Sequence, residues 1–141
     1  MSTSPNDYNA SIIEEFHANG GHVGGPFERT PLLLLHHTGA KTGRARINPL
    51  GYLTDGDRYV IVASNGGAPT NPAWYHNLNA HPEVTIEVGT DTINTLASEA
   101  TGGERERLFQ AMAARAKQVA EYQAKTDRLI PVIVLAPVGT D

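Results

Sequence analysis

The chain's 141 residues predict a small closed or split β-barrel, mainly β with some α, with helices laid across its openings. Three observations carry that expectation. Short runs rich in β-branched and apolar residues recur with tight turn signals between them. Runs joined by such short turns pair antiparallel. Three amphipathic stretches interrupt them at helical spacing. The expected inventory is about six mostly antiparallel strands and three helices, in a single domain over residues 1–141 without repeat or linker.

Each element has a local reason. Residues 1–7 are polar, carry one proline and are expected to be disordered. Tyr8, Ile12, Ile13 and Phe16 fall at helical spacing, which predicts a short helix over 8–19 that stops at Gly20-Gly21. Residues 20–31 hold four glycines and two prolines and read as a loop. The apolar run 32–38 is the first strand, a glycine turn follows at 39–43, and 44–54 is the second strand. Asp55-Gly56 signals a two-residue hairpin into a third strand, 58–64. After a glycine loop at 65–70, Asn71 is placed as an N-cap with Pro72 at the first helical position. That helix stops at His81-Pro82, because the residue before proline disfavours helical geometry. Strands at 83–88 and 92–100 flank Gly89-Thr90-Asp91. Thr101-Gly102-Gly103-Glu104 matches a capping box opening a helix to about residue 122, with Leu108, Met112 and Val119 inward. Pro131 precedes the last strand, 132–136.

Composition narrows the chemistry. The chain has no cysteine, so it can hold neither a disulfide nor a thiolate metal site, which fits a reducing cytoplasm. A net charge of −4 gives no reason to expect nucleic-acid binding. No apolar stretch approaches the roughly 20 residues that span a bilayer. The N-terminus has neither the basic nor the apolar region of a secretory signal. His36 and His37 are adjacent on a strand and face opposite ways, and His76 and His81 miss helical zinc spacing, so no metal site is expected. Gly-x-Ser-x-Gly is absent too, so covalent hydrolysis is disfavoured. A chain without reactive groups of its own leaves the chemistry to a cofactor.

Two segments point to a site. The turn Thr38-Gly39-Ala40-Lys41-Thr42-Gly43-Arg44-Ala45-Arg46 holds three of the eleven lysines and arginines of an acidic protein. Cations gathered at a glycine turn suit an anion. Arg44 and Arg46, two apart on the second strand, point the same way, with Lys41 in the turn just before them. Gly39 and Gly43 let a ligand approach backbone N–H groups. Each charge-assisted bond to a phosphate contributes about 1.5–3 kcal/mol. The rival reading is a solvated hairpin tip. The second segment is the loop carrying Ser64 and Asn65, leading into a helix that carries the sole tryptophan, Trp74, and Asn77. A helix N-terminus beside a glycine loop favours an electron-rich ligand edge; the rival reading makes Trp74 and Tyr75 core anchors.

Thr38-Gly39-x-Lys41-Thr42-Gly43-x-x-Arg46-x-Asn48-Pro49-Leu50, then Ala63-Ser64-x-x-Gly67-x-x-x-Asn71-Pro72-x-Trp74-Tyr75-x-Asn77-Leu78, resembles the deazaflavin-dependent nitroreductase and quinone reductase family. Tyr122-Gln123-x-x-Thr126-Asp127-Arg128-x-Ile130-Pro131 extends the likeness, which covers about residues 29–138. The resemblance implies an FMN-binding split-barrel-like fold and coenzyme F420, an 8-hydroxy-5-deazaflavin with a phosphate and glutamate tail. It implies cofactor-binding roles for Lys41, Thr42, Gly43, Arg44, Arg46, Pro49, Ser64, Asn65, Ala73, Trp74 and Asn77. It implies hydride transfer to a quinone-like or nitroaromatic acceptor, with Ser64 polarising the acceptor oxygen and Tyr122 as a substrate-facing proton donor. Ala40 and Asn65 stand where relatives are often basic, and Ala116 and Val119 where the best nitroreductases are aromatic, which favours a quinone over a bulky nitroimidazole. An FMN-dependent reductase and a deazaflavin carrier without turnover are the alternatives. A homodimer, a cytoplasmic location and at most peripheral contact with the inner face of the cell membrane complete the expectation.

Overall fold

Four consecutive leucines open strand β1 (Leu32–Thr38), and all four are buried because both faces of this inner strand are covered. Leu33 and Leu35 join a core that includes Ile61, Trp74, Leu78, Ile86 and Leu135. Leu32 and Leu34 face the other way, onto Ile12 and Phe16 of helix α1 (Pro5–Ala18). The computed structural model describes residues 5–25 and 31–138. Residues 1–4 and 26–30 and the Tyr8 side chain therefore lie outside what can be compared with expectation.

The remaining strands are β2 (Ala45–Gly51), β3 (Leu53–Asp55), β4 (Arg58–Val62), β5 (Glu83–Val88), β6 (Asp91–Glu99) and β7 (Val132–Pro137). They form one sheet in the order β2-β1-β5-β6-β7-β4-β3, with every pair antiparallel. The two ends of that order, β2 and β3, follow one another in the chain with only Tyr52 between them. A sheet whose margins are consecutive must curl until they approach, and the result is the expected split barrel. Helix α2 (Ala73–Ala80) buries Trp74, Asn77 and Leu78, and packs against β1. Helices α3 (Gly102–Arg115) and α4 (Lys117–Ala124) cover a second core with Leu53, Leu108, Met112, Val119 and Val132.

The inventory is seven strands and four helices among the described residues, one more of each than expected. The run 44–54 divides at Tyr52, where the chain leaves one sheet margin and joins the other. The long helix divides at Ala116, whose extended backbone (φ −136°, ψ 97°) ends α3 and starts α4. Helix α1 begins at Pro5, ahead of the expected start at residue 8; proline is well suited to a first helical position. The hairpin β3–β4 pairs Asp55 with Arg58, so its two turn residues are Gly56 and Asp57. Thr101 flanks α3 without a side-chain cap, because Glu104 is turned to Arg58, at 3.4 Å, and the capping box does not form.

Candidate functional site

The turn after β1 is closed by its own backbone. Gly39 N–H donates to Arg44 O (2.8 Å) and Gly43 N–H to Gly39 O (2.9 Å), so neither glycine amide is left for a ligand as expected. Thr42 Oγ1 accepts from Arg44 N–H at 3.2 Å. The side chains are what the turn offers: Lys41, Arg44 and Arg46 are exposed, and none forms an ion pair among the described residues. Strand β2 starts at Ala45, so the alternation that would set Arg44 beside Arg46 begins too late to include Arg44.

Two cavities adjoin between this turn and α2. One, of about 570 Å³, is lined by Lys41, Thr42 and Arg46 on one side and Ala73, His76 and Asn77 of α2 on the other. Among the described residues no acidic side chain lines it. The second, of about 590 Å³, is lined by Arg46, Ile47 and Asn48 of β2, by Asn65, and by Pro72, Ala73 and Trp74 at the start of α2. Ile13 and Ala10 of α1 close its far wall, and His37 lies within it. Arg46 and Ala73 line both cavities, which makes them one continuous groove. Trp74 is buried to 6% exposure and lines the groove, so core anchor and site residue describe the same side chain.

Pro72, not Asn71, occupies the N-cap of α2, and no side chain caps it. Asn71 Oδ1 instead accepts from Arg128 Nη1 at 2.6 Å. The positive end of α2 is therefore left facing the groove. Arg128 binds four acceptors of the glycine loop. Nη1 also donates to Ala63 O (3.1 Å), Nη2 to Ser64 O (2.7 Å) and Nε to Ala68 O (3.0 Å). The loop itself is a 3-10 turn, Asn65–Gly67, entered at Ser64. Asn65 holds a left-handed φ of 49° and donates from Nδ2 to Thr70 O at 3.0 Å. The Ser64 hydroxyl has no hydrogen-bond partner among the described residues.

A second network ties the basic turn to α2. Ala40 N–H donates to Asn77 Oδ1 (2.8 Å), Asn77 Nδ2 meets His37 Nδ1 (3.0 Å), and His37 Nε2 meets Asn48 Oδ1 (2.7 Å). Burial pushes the His37 pKa below its ordinary 6.5; the Asn48 bond opposes this, and the charges of Arg46 and His36 add to it. His37 is thus held neutral, while His36 faces outward to Glu87 at 2.6 Å.

Of the expected site residues, the groove brings together Lys41, Thr42, Arg46, Asn65, Ala73, Trp74 and Asn77. Gly43, Arg44, Pro49 and Ser64 stand outside its lining, with Ser64 next to Asn65. Tyr122 lines neither cavity and packs half-buried against the α3–α4 core, its carbonyl close to Gly67. Sequence reasoning did not single out His37, Arg128 or the α1 wall. The β1–β2 register was a usable signal: His37 pairs with Arg46, which puts Asn48 two residues on, diagonally across the same face.

The profile of a family described as F420H(2)-dependent quinone reductase matches residues 11–137. Over 108 residues the chain is 46% identical to the F420H(2)-dependent quinone reductase Rv1261c of Mycobacterium tuberculosis, with 74% of this chain and 72% of that one covered. A solved F420-H2 dependent reductase (FDR-A) is 40% identical with a TM-score of 0.70, covering 74% of this chain and 93% of its own. A structure described as a domain-swapped dimer is 36% identical with a TM-score of 0.72, covering 94% of this chain and 99% of its own.

Proposed function

The chain belongs to the F420H(2)-dependent quinone reductase family, and from that membership we infer that it binds reduced coenzyme F420 in the groove and reduces a quinone. The observation that carries the assignment is the continuity of the two cavities through Arg46 and Ala73. A flat ring with a polyanionic tail needs cations at one end of a groove and an apolar wall at the other. The residues fit it. Lys41 and the start of α2 face one cavity that no acid lines among the described residues, Arg46 borders both, and Trp74, Ile13 and Pro72 give the other an apolar wall beside Asn48 and Asn65. Each cavity on its own is within the range of small-molecule and cofactor pockets.

Bound there, the reduced deazaflavin supplies two electrons as a hydride. The protein's tasks are to bind, orient and polarise. Lys41 and Arg46 hold the tail, Arg128 fixes the loop that carries Ser64 and Asn65, and Trp74 supports the ring. The Ser64 hydroxyl, free to turn, donates to the acceptor oxygen as negative charge grows on it. The geometry favours Ser64 over Tyr122 for this, since Ser64 adjoins a groove residue and Tyr122 lies behind the 3-10 turn. A nitroaromatic acceptor and a homodimer belong to the same proposal, the latter supported by the domain-swapped relative.

The test is a titration of Trp74 fluorescence with oxidised F420 and, separately, with FMN, followed by steady-state oxidation of reduced F420 with a soluble naphthoquinone or a nitroaromatic. Saturable quenching by F420 alone, with turnover, is expected. Quenching by FMN alone would move the chain to flavin chemistry, and binding without turnover would make it a carrier. In the same titration Lys41→Ala is expected to raise the F420 dissociation constant about fivefold or more, the loss of one charge-assisted contact. Unchanged affinity would remove the basic turn from the site.

A further inference from the structure

The hydrogen-bond chain through His37 has only one consistent direction. A backbone N–H can only donate, so the Asn77 atom facing Ala40 is the carbonyl oxygen. The other Asn77 atom is then an NH2 group and must donate to His37 Nδ1. His37 Nδ1 therefore carries no proton, Nε2 carries it, and Nε2–H donates to Asn48 Oδ1. Four groups from three elements and the turn are fixed by one neutral imidazole that is itself only 4% exposed.

We propose that His37 is a positioning residue for the anion site: through Asn77 it holds Ala40, and with it Lys41, against α2. The inference rests on the reading of the groove as an F420 site. Lys41 is the next residue after Ala40 and lines the same cavity as Asn77. If the Asn77 amide turns over, an NH2 group faces the Ala40 N–H, two donors oppose each other, and the turn loses its tie to α2. Among the described residues no other acceptor meets the Ala40 amide. The ring end of the groove does not depend on it, because Trp74 is held by the core and Asn65 by Thr70. His37 itself lines the ring cavity, so any substitution there touches the ring end too, and its hold on the tail shows as the difference between two variants.

Two near-isosteric variants separate the halves of the chain. His37→Asn can place a carbonyl oxygen where Nδ1 sits and keep accepting from Asn77. His37→Gln reaches the Asn48 position but gives up the Asn77 contact. Dissociation constants are measured by Trp74 fluorescence for F420 and for its tail-less deazariboflavin, and hydrogen exchange of the Ala40 amide is followed in the ligand-free proteins. We expect His37→Asn to resemble the parent. His37→Gln should bind F420 about five- to tenfold more weakly than His37→Asn does, bind the tail-less ring as His37→Asn does, and exchange Ala40 faster. Equal behaviour of the two variants, or equal weakening toward both ligands, would reduce His37 to a packing residue and overturn the proposal. If the parent protein binds neither ligand, the F420 reading fails, and the Ala40 exchange alone decides whether His37 holds the turn.

Discussion

Arg128 meets four neutral oxygens and no carboxylate among the described residues. Burial lowers its pKa, yet guanidinium stays charged, so those oxygens carry the whole task of replacing water. Arg128→Ala leaves them partly unsatisfied and should cost about 2–4 kcal/mol in a denaturant titration, with F420 quenching of Trp74 weakened as the loop loosens. Arg128→Lys should recover little, since an ammonium cannot fork to the same geometry. Ser64 makes the opposite case. Its carbonyl is used by the clamp while its hydroxyl is unbonded, so Ser64→Ala should leave stability and F420 affinity near the parent and lower the turnover number. Equal turnover would rule out the hydroxyl as a polarising donor. Lys41 and Arg46 were legible in the sequence because residue type and turn spacing suffice for exposed cations. Asn77 was legible as a motif position, but its role was not: whether a buried amide touches ligand or protein depends on partners forty residues away, which spacing does not encode.

Elements were read well where pattern and end signals agreed and poorly where a tertiary contact decided. β1, β5 and α2 have the expected extents to within a residue, since an apolar run, a tight turn and a proline mark them. The division at Ala116 has no glycine or proline to announce it. Helix α4 instead turns to place Val119 in the core and to pack on the 3-10 turn at Asn65–Gly67. Gly67 is where that packing is tightest. Its φ is +85°, and an added Cβ would meet the Tyr122 carbonyl and the Lys125 side chain at 3.2 Å. Gly67→Ala should cost about 1–3 kcal/mol by strain and displacement of α4. Thermal melts would show it, and an unchanged melting temperature would mean that α4 gives way freely. The α1 wall was hidden for a related reason. Ile12 and Phe16 predicted a buried face, but only the folded sheet shows that Ile13 and Ala10 flank the groove.

At the scale of the molecule, the β3–β4 hairpin is tied to α3. Asp55 accepts from Arg107 of α3 at 3.1 and 3.2 Å and also pairs with Arg58, and these bonds hold its carboxyl at about 2, down from 3.8. Across the sheet, burial tends to raise the Glu87 carboxyl, but the bonds from His36 and His17 outweigh it and its pKa falls. A depressed folded-state pKa gives stability above the unfolded value that is lost on acidification. His37, depressed from 6.5, should start that loss as pH drops below about 6.5, and Asp55 and Glu87 should add a second loss below about 4. Melting temperatures from pH 8 to pH 2 should fall in two stages, the first absent in His37→Asn. A single stage below pH 4 in the parent would deny His37 its neutral form. The curl itself was predicted from strand count and short turns, while this tie was not, because Asp55 and Arg107 are brought together only when α3 packs over the core that holds Leu53 and Leu108. The clamp at Arg128 has a further consequence, for the order in which the protein comes into being. The hairpin that bears Lys41 and Arg46 is local in sequence, but its turn is tied down only when Asn77 has been made. The loop at residues 63–71 waits for an arginine synthesised some sixty residues later. In a nascent chain both ends of the groove therefore wait for later residues, the anion end for Asn77 and the ring end, longer still, for Arg128.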